Sequence, residues 1–435
     1  VPALPFVVEL TRDLIRLDTT NPPGEEHLAV ELVERLLRDA KIDCARYESE
    51  PGRPNLVARV KGRGEAPPLL LQGHVDVVTT VNQDWRHRPF GGDIIDGYLW
   101  GRGALDMKSG VAMMVGAVIR AQARGGAAGD LVLTVLADEE AGGICGARWL
   151  VDAHPELFTG IRHAIGESGG VALHVGGRRF YPIMVSEKRG CQMLVTLRGA
   201  GGHGSVPAHG GAMAKLGELL TRLDAGRLPV HITTPVRHQL EGMRDALAEP
   251  LKSRIGALLD PARTDAALAE LGALSRGLDA ALHNTVNATI VSGGLKINVI
   301  PSEVQVQLDG RLLPGFGPED MVRELREVVG SEPEIEVLLV GPAQPEVDLS
   351  QFDLFASVLK EADSGCVPVP SLVTGGTDAR HFARLGIRTY GFLPLNIPPD
   401  FNSSPTIHAA DERVPVSALE FGAECVYEAA MRYRG

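Results

Sequence analysis

Along the first third of the chain the apolar residues keep two rhythms. In "GEEHLAVELVERLLRDAKI", Leu28, Leu32, Val33, Leu36, Leu37 and Ala40 recur at helical spacing behind an acidic first turn, which predicts an amphipathic helix. "NLVARV", "PLLLQGHVDVV", "DLVLTVLADEE" and "RHAIGES" are instead short, continuous apolar runs, the mark of strands buried on both faces. "DMKSGVAMMVGAVIRAQA" reads as a buried helix stopped by Gly125-Gly126. Helices alternating with doubly buried strands predict an α/β domain: a mixed, largely parallel sheet covered by helices on both faces.

Near Glu187-Lys188 the pattern changes. "CQMLVTLRGAGGHGS" alternates like a half-exposed strand, "GAMAKLGELLTRLDA" is helical, and residues from about Val236 to Leu282 look helical and charged. "NTVNATIVSGGLKINVIPSEVQVQLDGRLLPG" then supplies strands joined by the turn signals Gly293-Gly294 and Pro301-Ser302. Strands in near succession predict an antiparallel sheet. After Pro314 the helix-strand alternation returns, through "PEDMVRELREVV" and "EIEVLLV" to the final helix "SALEFGAECVYEAAMRY". The expected organisation is a main domain in two parts, 1–187 and 313–435, interrupted by an inserted α+β module at 188–312.

Composition narrows the class. A length of 435 residues suits two cores better than one, and 44% hydrophobic with 23% charged residues describes an ordinary globular protein. The net charge of -12 argues against a nucleic-acid or anionic-membrane partner. No apolar run approaches membrane-spanning length. Cys44, Cys145, Cys191, Cys366 and Cys425 are scattered, with no C-x-x-C pair, so they predict neither a disulfide framework nor a thiolate metal site, and a reducing, cytoplasmic setting is expected.

The candidate chemistry lies at strand ends. His74 and Asp76 close one expected strand, Asp138, Glu139 and Glu140 another, and Glu167 a third, while Asp106 precedes a helix. In an open α/β sheet the carboxyl ends of the strands form the ligand crevice. Singly, an H-x-D is most often a surface hydrogen bond, a D-E-E is solvated loop charge, and Asp106 would be a helix N-cap. Together they concentrate negative charge that only cations could balance. Imidazole with carboxylates and no thiolate suits catalytic zinc, and a bridging carboxylate would hold two ions about 3.5–4 Å apart. Asp76 could fix the tautomer of His74, and of the adjacent Glu139 and Glu140 one could ligate while the other serves as general base.

The succession "DTTNPPGEE", "GHVDVV", "WGRGALDMKSG", "ADEEAGG", "GES", "GGHGSVP", "NVIPSE", "GGTDARHF" and "IHAADERV" closely resembles the di-zinc metallopeptidase and amidohydrolase family of aminoacylase, acetylornithine deacetylase, succinyl-diaminopimelate desuccinylase and glutamate carboxypeptidase, in order and over nearly the whole chain. The resemblance implies two zinc ions (Co2+ or Mn2+ as substitutes), with His74 and Glu167 on one, Glu140 and His408 on the other, and Asp106 between them. It implies that Asp76 orients His74 and that Glu139 is the general base. The inserted module would act as a lid and allows a homodimer, through which His203 would reach the active site, usually the partner's, to stabilise the oxyanion. Asn298, Arg311, Gly376 and Thr377 match positions that hold the substrate's carboxylate. His87, His163, His174, His209, His381 and Asp138 are expected to be structural or superficial. The implied activity is hydrolysis of an amide bond in an N-acyl amino acid or a short peptide with a free carboxylate. The acyl-group pocket carries no motif, so deacylase and peptidase remain open alternatives, with a non-catalytic binding protein of the same fold behind them.

Overall fold

The computed structural model describes residues 5–343 and 345–435. Nine strands form the main sheet, whose path runs Asp43–Glu48, Pro54–Val60, Leu131–Leu136, Leu69–His74, His163–Gly166, Arg388–Gly391, Arg178–Glu187 and Cys366–Val373, with Leu173–Val175 paired to the side of Arg178–Glu187. Leu69–His74 is parallel to both neighbours, and Arg388–Gly391 to His163–Gly166, while the edge strand Asp43–Glu48 is antiparallel. The sheet is thus mixed and largely parallel at its centre, as the apolar runs predict.

Those runs are long because both faces are covered. Leu69 and Leu71 enter the core beneath the helices Phe6–Ile15, Lys108–Ala123 and Val416–Arg432, whereas Leu70 faces a second core with Leu150, Phe158 and Phe382. Leu131, Leu133 and Leu56 likewise face the first core, Val132 and Val57 the second. Each such leucine, fully buried, contributes about 1.5–3 kcal/mol. The helix Lys108–Ala123 is buried nearly all round, which accounts for its lack of a polar face.

A second, four-stranded sheet orders Thr285–Gly293, Glu303–Leu312, Arg189–Arg198 and Glu334–Val340, all antiparallel, under the helices Ala212–Ala225 and Pro318–Val329. Two details correct the expected boundaries of the inserted module. Glu334–Val340 pairs with Arg189–Arg198, so the second sheet continues past residue 312 and the segment 318–340 belongs to it. The alternation read there as a return to the main domain is the local periodicity of an added helix and edge strand. Conversely, the helices between Thr234 and Leu282 pack their Val236, Leu240 and Met243 against Phe180, Val369 and Leu372 of the main sheet. Helical spacing shows that a face is apolar and leaves open which layer buries it.

A small three-stranded sheet joins Arg413–Pro415, Tyr98–Trp100 and Asp93–Ile95. It places the loop after Trp100 beside the loop before Arg413. No helix among the described residues is long and apolar enough to cross a membrane.

Candidate metal centre

Parallel pairing puts the ends of three strands at one edge: His74 is in register with Leu136, and Leu71 with Ile165. His74 therefore meets the turn Asp138–Glu140 and Glu167 above the sheet. The ring of His74 is buried, with Nε2 3.3 Å from Asp106 Oδ1 and 3.8 Å from Glu167 Oε2. His408 Nε2 lies 3.0 Å from Asp106 Oδ2 and 3.2 Å from Glu140 Oε2. Two donor groups result, His74-Asp106-Glu167 and Asp106-Glu140-His408, each with its ligand atoms within 4.8 Å of one another. Asp106 belongs to both and turns one oxygen to each.

These donors fit a pair of divalent cations. His74 Nε2 is buried without a hydrogen-bond partner, an orphan that costs about 1–3 kcal/mol unless something accepts its lone pair or proton. The proton on Nδ1 is held by the Asp76 carbonyl at 3.0 Å, with the Asp76 carboxylate at 3.3 Å, which leaves Nε2 free to ligate. Without an ion the imidazoles answer the acids themselves. Hydrogen bonds to Asp106 and Glu140 raise His408 to about 10, and although burial opposes it, the carboxylates of Asp106, Asp76 and Glu167 around the ring raise His74. Burial, reinforced by the charge of Glu167, raises Glu139.

Asp76 does more than sequence spacing suggests. Its Oδ1 accepts the Glu139 amide at 3.1 Å and its Oδ2 the Glu140 amide at 3.1 Å, so it fixes the turn carrying both glutamates. Asn21 Nδ2 bridges Asp76 Oδ2 at 2.9 Å and Asp138 Oδ1 at 3.0 Å. At Asp138 a φ of +69° opens the turn, and the carboxylate binds Arg53 and the Cys145 amide. Arg53 in turn forks onto the buried Glu26. Asn21, Glu26 and Arg53 carry no local signal in the sequence, because their partners lie far along the chain.

The loop bearing Asp106 hangs on one buried carboxylate. Glu412 is fully buried, with Oε2 accepting from Arg102 Nη1 at 2.6 Å and the Gly103 amide at 3.0 Å, and Oε1 from the Leu105 and Asp106 amides at 2.7 and 3.1 Å. The segment 83–86 braces His408 from outside: Gln83 Nε2 donates to the His408 carbonyl, and Arg86 pairs with Asp411. His408 carries no periodic signal, and only this scaffold, reaching 302 residues along the chain to Asp106, makes it a neighbour.

The remaining expected residues lie elsewhere. His203 is exposed on the short strand Gly202–His203, paired with Val299–Ile300, and its ring bonds Ser205 Oγ at 2.7 Å without touching the cluster. Asn298 sits beside it, accepting the Gly204 amide through its carbonyl. Arg311 is half-buried, and its Nε and Nη2 fork onto Asp309 at 3.0 Å each. Thr377 has a buried side chain, and its amide and hydroxyl both bond Glu187 Oε2 at 2.8 Å. His163 and His174 are structural, bonded to Tyr433 with Asp348 and to the Ile397 carbonyl. His381 is buried and lies 3.2 Å from the Gly142 carbonyl at the edge of the site.

A shared carboxylate between two His-carboxylate groups, at the carboxyl ends of a largely parallel sheet, defines the class as a two-metal hydrolase centre. The sequence profile of Peptidase family M20/M25/M40 matches residues 70–432, and the chain belongs to that family and is a metallohydrolase. It is 29% identical over 428 residues to a succinyl-diaminopimelate desuccinylase of Cereibacter sphaeroides (strain KD131 / KCTC 12085), covering 95% of each chain. To aminoacylase-1 of Sus scrofa it is 26% identical over 424 residues, 94% of this chain and 90% of that one. The crystal structure of an M20 family metallo-carboxypeptidase, Sso-CP2 from Sulfolobus solfataricus, superposes with a TM-score of 0.69 at 16% identity, covering 98% and 99% of the two chains; that likeness is one of fold.

Proposed function

We propose that the protein hydrolyses the amide bond of an N-acyl amino acid, or of a short peptide, that carries a free carboxylate, with two zinc ions in the centre. The observation that carries this reading is the division of Asp106 between the two donor groups. The relatives named for deacylation, matched along nearly the full chain, favour an N-acyl amino acid over a dipeptide. His74 and Glu167 would hold one ion, Glu140 and His408 the other, with Asp106 between. When bound, the ions supply Lewis acidity to the scissile carbonyl and bring the pKa of the attacking water down to about 7.

The chain's own groups do the rest. Asp76 keeps the His74 proton on Nδ1 and holds the Glu139–Glu140 turn. Glu139 takes the proton of the attacking water and returns it to the leaving amine. Arg311, Asn298 and Gly376 would receive the substrate's carboxylate, with Thr377 shaping the Gly376 loop through Glu187 rather than touching substrate. His203 would donate to the oxyanion from a second copy of the chain. Support for that arrangement comes from the strand Thr285–Gly293, an edge of the second sheet with Ile290 and Val291 exposed, followed by exposed Leu295, Ile297 and Val299. Such an edge is a template for pairing. The five free cysteines are consistent with a cytoplasmic enzyme.

The test is to load the protein with zinc, measure metal per chain, and assay N-acyl amino acids against dipeptides beside the Glu139→Gln variant. Two ions per chain, turnover by the wild type and none by the variant are expected. A zinc-loaded wild type inert across both substrate sets overturns the proposal. Sedimentation of the wild type decides the dimer, and a monomer at assay concentration removes delivery of His203 by a partner.

A further inference from the structure

The backbone of Glu139 is anchored by Asp76, but nothing so far holds its carboxylate among the like charges of Glu140 and Glu167. Among the described residues, the cation within ion-pair distance is Arg380, with Nη1 3.5 Å from Glu139 Oε1. At that separation the contact is an ion pair without a close hydrogen bond. A bidentate fork would occupy both carboxylate oxygens, whereas this single long contact steers the group and leaves lone pairs for a proton.

Arg380 is itself fixed from three sides. Its Nε lies 3.2 Å from His381 Nε2. The same ring nitrogen also lies 3.2 Å from the Gly142 carbonyl, so His381 seats Arg380 beside the turn that carries Glu139. Burial, with Arg380 beside it, pushes His381 down to about 4, consistent with a neutral ring. A Cβ on Gly376 would stand 2.9 Å from Arg380 Nη1, so the glycine leaves the space the guanidinium fills. The start of the short helix Ala379–Phe382 is pinned through Thr377, whose Oγ accepts the Ala379 amide at 3.1 Å and donates to Glu187. The same segment interlocks with the glutamate turn: at Gly143, φ is +70° and a Cβ would meet Asp378 Oδ1 at 3.0 Å and His381 Nε2 at 3.1 Å. The loop 376–381 and the turn 139–143 therefore keep a fixed spacing, and Arg380 reaches across it.

We propose that Arg380 is a positioning residue for the general base, holding the Glu139 carboxylate toward the metal centre by a single ion contact from the Gly376–His381 loop. The inference rests on the proposed role of Glu139. Two other readings make different predictions: an arginine that binds substrate would act on KM, and one that serves only the fold would act on stability and metal content.

The experiment compares wild type, Arg380→Ala and Arg380→Lys at equal zinc content. For Arg380→Ala, kcat should fall about 10²-fold, the usual cost of a misplacement near 1 Å, with KM within about threefold of wild type. Arg380→Lys should recover much of the loss, and added guanidinium ion should restore part of the kcat of Arg380→Ala. A crystal structure of zinc-loaded Arg380→Ala should show the Glu139 carboxylate displaced or in several positions. An unchanged kcat, a raised KM at constant kcat, or a Glu139 carboxylate unmoved in that crystal overturns the proposal. The crystallographic arm keeps it separate from the proposed function: an inert wild type sinks the hydrolase reading, while the position of Glu139 with and without Arg380 still decides this one.

Discussion

Replacing Glu412 by glutamine tests whether the Asp106 loop is organised by one buried carboxylate. The substitution keeps the volume but removes the charge and turns one acceptor into a donor. Glu412 has four donors divided between its oxygens: Arg102 and the Gly103 amide on one, the Leu105 and Asp106 amides on the other. Whichever way the new amide turns, its NH2 faces two donors and breaks both contacts. Arg102, itself 1% exposed, loses the anion that balances it. Breaking a buried charge pair from one side costs about 3–5 kcal/mol, a large share of the ~5–15 kcal/mol that holds a domain together. Because Asp106 is held through its amide, the affinity for zinc should fall as well, by about 10–100-fold. Urea unfolding followed by tryptophan fluorescence, with calorimetric zinc titration, measures both effects. As a contrast, Asp411→Asn disturbs the neighbouring pair with Arg86, whose guanidinium reaches solvent, and should cost less, about 1 kcal/mol. Equal urea midpoints and zinc isotherms for wild type and Glu412→Gln would refute the assignment.

Four further outcomes are expected. His203→Ala should lower kcat by about 10²–10³ with zinc content unchanged, and retention of wild-type kcat would remove its oxyanion role. Arg311→Ala should raise KM for substrates with a free carboxylate by about 10–100-fold, the worth of a charge-assisted contact, while their amides stay unaffected; an equal effect on both would count against it. A chelator should abolish turnover and lower the unfolding midpoint, with both restored by zinc, since the donors then confront one another uncompensated; a midpoint insensitive to chelation would contradict this. The depressed His381 gives a stability signal with a definite sign. Its folded pKa of about 4 lies below the free value of ~6.5, so the unfolded chain binds the extra proton and the stabilisation, complete above ~6.5, is lost as pH falls toward 4. Relative to His381→Gln, the wild type should lose about 3 kcal/mol across that range, and a difference flat with pH would remove the assignment.

The main sheet was legible because burial on two faces leaves a strong local mark: Leu69 to Leu71 could not be three leucines in a row on a half-exposed strand. From that mark, parallel order and the gathering of His74, Glu139, Glu140 and Glu167 at one edge follow by general rules of α/β folds. The acids themselves announced the need for cations. The inserted module was recognisable as a change of rhythm but not in its limits, since the helix Pro318–Val329 and the strand Glu334–Val340 have the same local pattern in either layer.

What tertiary structure alone decided are the contacts that pair residues with no shared periodicity. The chain by itself determined which segments must be buried, since that depends on side chains at neighbouring positions. It did not determine that Glu412 gathers the amides of 103, 105 and 106, that Asn21 ties Asp76 to Asp138, or that Arg380 faces Glu139. A polar side chain bound once, across hundreds of residues, has no repeat to betray it; its role comes from the one geometry in which a buried donor and a buried acceptor find each other.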